Sequence, residues 1–143
     1  KMVERLGLKE IVIFTGRIAY NKMPELFHLG DVFVQISLPT RNWNEQFGGV
    51  LIEAMATGLP IIGTLNGGIY ETVGKKGGIF IPPQNFAQLT QAILKIYFNK
   101  NLKRKMGNNN LRKVNKLYNN NVVASKIKQI WEMVLESYPQ ENK

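Results

Sequence analysis

Two carboxylates eight positions apart, Glu45 and Glu53, bracket the glycine pair Gly48-Gly49. Helix N-termini expose unpaired N–H groups and a partial positive charge. A helix opening at Phe47, Gly48 and Gly49 is therefore an anion site, and its glycines let a phosphate come close to the backbone. Six residues beyond Phe47, Glu53 would sit roughly 9 Å along the axis. That is about the span from a nucleotide's phosphates to its ribose hydroxyls, and a carboxylate accepts hydroxyl protons well. Leu51, Ile52, Ala54 and Met55 surround Glu53 in sequence, where a buried carboxylate is costly unless paired. Glu53 is thus either a satisfied structural glutamate or a ligand-facing one. Glu45 is equally readable as an acid complementing the helix dipole.

Other chemistries run short of residues. Asp31 is the only aspartate, His28 the only histidine, and cysteine is absent. No carboxylate metal pair, zinc helix, calcium loop or Ser/His/Asp set can be assembled from them, and thiolate redox chemistry is excluded. We expect no protein-held metal and no cofactor. The net charge of +9 is uneven: from Thr72 to Trp131 there is no acidic residue. A positive face there attracts phosphate in any form, whether nucleotide, lipid head or nucleic acid, or is simply a solvated helix face. No apolar run is long enough to span a bilayer and no signal core leads the chain, so a cytoplasmic protein is expected.

The elements that must position the two carboxylates alternate as in an open α/β sheet. Strands are expected at Glu10–Thr15, Asp31–Ser37, Pro60–Thr64 and Gly78–Ile81. Pro24 opens a helix that ends at Gly30, and Leu38–Glu45 reads as a loop. The helix Phe47–Thr57 stops at Gly58 and Pro60, and a short helix follows near Tyr70–Val73. Apolar residues at three- and four-residue spacing predict helices over Phe86–Phe98, Leu102–Leu117 and Val122–Ser137. The run Asn119–Asn121 punctuates the last two. The run Asn108–Asn110 should weaken its helix and asks for no functional explanation. One domain fits the 143 residues.

The stretch Glu45-Gln-Phe-Gly-Gly-Val-Leu-Ile-Glu53-Ala-Met-Ala-Thr-Gly58-Leu-Pro resembles the E-x7-E region of retaining GT-B glycosyltransferases (glycosyl transferases group 1). Gly67-Gly68-Ile69-Tyr70-Glu71 is similar to that family's G-G-x-x-E turn, Thr15-Gly16-Arg17-Ile18 to its G-R-V loop, and Asp31-Val-Phe-Val-Gln-Ile-Ser37 to its D-V-F-V-x-P-S strand. The resemblance implies an α/β fold: a Rossmann-like parallel sheet with flanking helices, the C-terminal half of a GT-B fold, without the first strands of that half. Residues 1–143 would form a partial C-terminal nucleotide-sugar-binding domain, the N-terminal acceptor domain being absent and the isolated chain inactive.

By the same resemblance Glu45 contacts the transferred sugar near its reacting carbon and is the catalytic residue. Glu53 would bind the ribose hydroxyls, Phe47, Gly48, Gly49 and Val50 would offer backbone N–H groups to sugar and diphosphate, and Ile18 would lie beside the base. The implied partners are a nucleotide-sugar donor and a glycan or lipid-linked acceptor, with an anionic membrane surface as a further expectation and nucleic acid not expected. Two departures stand out: Gln46 replaces the commoner glycine, and Ile36 rather than proline precedes Ser37. With its neighbouring strands absent, Glu10–Thr15 should fray and invite self-association or a strand-complementing partner. The competing readings are a sugar-nucleotide epimerase of GT-B architecture and a basic, non-enzymatic nucleic-acid or membrane-surface module.

Overall fold

The computed structural model describes residues 1–38, 40 and 45–138. Seven helices and three strands alternate along them: α1 (Met2–Arg5), a 3₁₀ turn (Tyr20–Lys22), α2 (Met23–His28), β1 (Phe33–Gln35), α3 (Gly49–Ala56), β2 (Ile61–Thr64), α4 (Ile69–Val73), β3 (Gly78–Ile81), α5 (Phe86–Phe98), α6 (Lys100–Leu117) and α7 (Asn120–Ser137). The strands form one parallel sheet in the order β1-β2-β3. Phe33 stands opposite Ile61 in its register, and Ile61 opposite Gly78.

Alternation along the strands sorts the apolar side chains onto two faces. Ile61, with Phe33 and Phe80, packs against Phe27, Leu51, Ala54, Met55 and Ile69 from α2, α3 and α4. Ile62 and Ile81, with Val34 and Ile79, pack against Ala92, Ile96 and Met106 from α5 and α6. The sheet is buried on both sides, as parallel sheets require. Asparagines open the last three helices: Asn85 accepts from the Gln88 N–H, Asn99 from Leu102 and Asn119 from Asn121.

Three expectations are corrected. Glu10–Thr15 is not a strand: its backbone joins no ladder, and Ile11, Ile13 and Phe14 are 74%, 84% and 81% exposed. A β-branched run becomes a strand only where a neighbour supplies the pairing groups, and none of the three strands lies beside it. The helix expected from Phe47 begins two residues later at Gly49, because Gly48 takes a left-handed conformation (φ 67°) that interrupts helical geometry. The run Asn108–Asn110 does not interrupt α6, and one of its members has a structural task. Asn110 is fully buried, and its amide donates to the carbonyls of Leu59 at 2.7 Å and Gly77 at 3.0 Å. One helix side chain thereby ties down the lead-in to β2 and the lead-in to β3. Residues 39 and 41–44 of the expected loop Leu38–Glu45 fall outside the described residues.

Candidate functional site

The loop Glu45–Gly48 and the helix α3 carry most of the expected site residues, and the turn Gly67-Gly68 holds that loop in place. The Gly68 N–H donates to the Glu45 carbonyl at 2.7 Å, and the Thr72 hydroxyl of α4 donates to the Phe47 carbonyl at 2.8 Å. A Cβ at Gly67 or Gly68 would stand 1.8 Å from the Glu45 carbonyl oxygen or 2.0 Å from that of Gln46. Only glycine permits this approach of two backbones. Phe47 is itself half out in solvent, its ring edge-on to Tyr118 at 5.8 Å between centroids. The Tyr118 hydroxyl reaches the Thr72 carbonyl at 3.4 Å, and burial pushes that phenol above its ordinary value.

Gly48 is then the N-cap of α3 and offers no side chain to the helix end. The Leu51 N–H closes a tight turn onto the Gly48 carbonyl at 2.8 Å, leaving Gly49 and Val50 in the first turn, where N–H groups have no intrahelical acceptor. A Cβ at Gly48 would fall 2.6 Å from Leu51 Cδ1 and 3.8 Å from the carboxyl carbon of Glu45. The Glu45 carboxyl group therefore lies over the tip of α3, a position that favours an anion.

Glu53 sits one turn inside α3, half-buried, and its Oε1 accepts from the Tyr20 hydroxyl at 3.2 Å. Hydrogen bonding to Glu53, and then its negative charge, hold the Tyr20 phenol above its ordinary value of 10.0. An open cavity of about 390 Å³ adjoins this pair, lined by Tyr20, Asn21, Met23, Pro24, Phe27, His28, Glu53, Ala56 and Thr57. It runs from Glu53 toward the C-terminal end of α3, along the apolar flank of α2.

The structure thus gathers Glu45, Phe47, Gly48, Gly49 and Val50 at the helix tip and turns Glu53 into a cavity. Glu45, Phe47, Gly48 and Gly49 do not line that cavity. Ile18 is half-buried two residues before Tyr20 on the loop that approaches Glu53, and it does not line the cavity either. Tyr20 was missed in the sequence. Its signal, an aromatic residue just before a helix with Pro24 in its first turn, is too common to single out without the contact.

A model of the family described as glycosyl transferases group 1 matches residues 1–113. YtcC of Bacillus subtilis (strain 168), named as a glycosyltransferase, is 33% identical over 132 residues, which is 91% of this chain and 31% of that protein. Among solved structures, sucrose-phosphate synthase from Thermosynechococcus elongatus superposes with a TM-score of 0.83 at 30% identity, over 96% of this chain and 33% of that one. Anabaena HepE, solved in complex with UDP and glucose, superposes with a TM-score of 0.76 at 25% identity, over 94% of this chain and 34% of that one. The chain spans about a third of each of these proteins.

Proposed function

Because the chain belongs to the glycosyl transferases group 1 family, we propose that it is the donor-binding part of a retaining glycosyltransferase that moves a sugar from a nucleoside diphosphate sugar to a glycan or lipid-linked acceptor. The observation that carries this reading is Glu53, a half-buried carboxylate opening into a cavity and held by one phenol. Such a group suits two neighbouring ribose hydroxyls. The uncapped start of α3 and the N–H groups of Gly49 and Val50 would receive the diphosphate, stabilising it as it departs. Glu45, beside that tip, would face the sugar at its reacting carbon. That UDP and glucose occupy the related HepE supports a donor of this class.

The test is calorimetric titration against UDP-, GDP- and ADP-sugars, with Glu45→Gln assayed for transfer to acceptor, both in the full-length enzyme that carries an acceptor domain. One donor should bind, and Glu45→Gln should keep its affinity within about threefold while losing transfer. No binding by any of the three sinks the proposal, and so does an active Glu45→Gln.

Contact with an anionic membrane belongs to the same proposal. In α7, Val123, Ile127, Ile130, Trp131 and Val134 form one exposed stripe. At helical spacing Lys126 and Lys128 flank it, while Glu132 and Glu136 fall on the opposite face. Among the described residues no helix is long and apolar enough to cross a membrane.

A further inference from the structure

The strands are parallel, so the tip of α3 and the opposite end of the sheet are separate surfaces. At that opposite end, the turn Gly74–Gly77 leads into β3 and lies against α6. The Gly77 N–H donates to the Gly74 carbonyl at 3.1 Å, and the Asn109 amide donates to the Lys76 carbonyl at 3.1 Å. Between turn and helix is a cavity of about 360 Å³ lined by Lys75, Lys76, Lys113 and Asn109 together with Val73, Gly74 and Gly77. We infer that this cavity is a binding site for a phosphate group, separate from the tip of α3 and independent of the donor reading above.

Four observations meet there. Lys75, Lys76 and Lys113 border one concavity, and Lys105, Arg112 and Lys116 continue the charge along the same stripe of α6, seven and eleven positions apart from Lys105. Among the described residues none of these six cations makes an ion pair. The Lys113 ammonium is half-buried, tied only to the Glu71 carbonyl at 2.7 Å, and burial pushes it below the ordinary lysine value. Gly74, at φ 77°, leaves the space over that ammonium open: a Cβ there would stand 3.5 Å from Nζ. Lysines bordering one cavity with no acid among its lining make it positive, and a multivalent anion is attracted to such a field. Phosphate is the anion whose charge matches, whether free or carried on a lipid head.

The test titrates the full chain with inorganic pyrophosphate, read at the amide resonances of Gly74, Lys76 and Gly77 so that binding at the tip of α3 is not counted, and, in a second arm, sediments it with phosphatidic acid and phosphatidylcholine vesicles. Lys75→Glu/Lys76→Glu alters only exposed side chains, and Lys126→Glu/Lys128→Glu on α7 makes the same change of net charge elsewhere. The first pair should weaken at least one arm tenfold or more, and the α7 pair should leave pyrophosphate binding within twofold. Loss in the pyrophosphate arm identifies a free phosphate, and loss confined to phosphatidic acid vesicles identifies a lipid head. Equal pyrophosphate losses in both variants, no loss in the first pair, or no binding in either arm overturns the inference.

Discussion

The Tyr20 hydroxyl donates to Glu53 Oε1 at 3.2 Å, joining a loop ahead of α2 to the middle of α3. The two side chains share one proton donor and one charge, so each reports on the other.

Tyr20 should ionise above the ordinary tyrosine value of 10.0 because its phenolate would face the Glu53 carboxylate. A group whose pKa is raised on folding stabilises the fold below its unfolded value and loses that contribution as pH climbs through the folded one. The contact is therefore intact at neutral pH and lost in alkali. Ultraviolet difference titration should show one phenol shifting down in Glu53→Gln, with Tyr118, raised by burial alone, as the unmoved reference. Superimposable titrations of the two proteins would refute the coupling.

Gly48→Ala should damage both stability and anion binding. Its Cβ would meet Leu51 Cδ1 at 2.6 Å in a left-handed backbone, and the backbone term alone costs about 1–2 kcal/mol. Thermal unfolding followed by circular dichroism should show a lower Tm, and nucleoside diphosphate affinity should fall with it. An unchanged Tm would mean that the start of α3 is not held as described.

Asn110→Ala should destabilise the chain by roughly 1–3 kcal/mol, because the Leu59 carbonyl loses its donor while the Gly77 carbonyl keeps only the Ile61 N–H. Urea unfolding measures this directly. A loss below about 0.5 kcal/mol, the scale of an ordinary surface change, would show that Asn110 does not pin the strand lead-ins.

The exposed run with Ile11, Ile13 and Phe14 should drive self-association through unpaired backbone and apolar surface. Sedimentation velocity should find concentration-dependent oligomers of the chain that Ile13→Lys/Phe14→Ser disperses. A monodisperse wild-type monomer contradicts this.

The sheet and its flanking helices were legible because burial enforces periodicity: Ile61, Ile62, Ile79 and Ile81 had to be strand residues once Pro60 and Pro82 closed their segments. Glu10–Thr15 misled because its composition is that of a strand, whereas pairing depends on partners that no local pattern contains. Asn110 was hidden in a polar run, since burial of one asparagine among three follows from helix phase and from the closeness of Gly77. At the site, the Gly48-Gly49 pair and the Gly58 and Pro60 stop announced α3, with Glu45 ahead of it and Glu53 inside it. The contact from Tyr20 crosses 33 residues and could be read only from the fold.

The central claim, that Glu53 holds ribose hydroxyls, is tested most directly by a double-mutant cycle: the best-binding nucleoside diphosphate and its 2′-deoxy form, each titrated against wild type and Glu53→Ala. Removing the hydroxyl should weaken wild-type binding about tenfold, the scale of a hydrogen bond to a charged group, and leave Glu53→Ala nearly indifferent. Equal losses in both proteins would show that Glu53 does not touch the ribose.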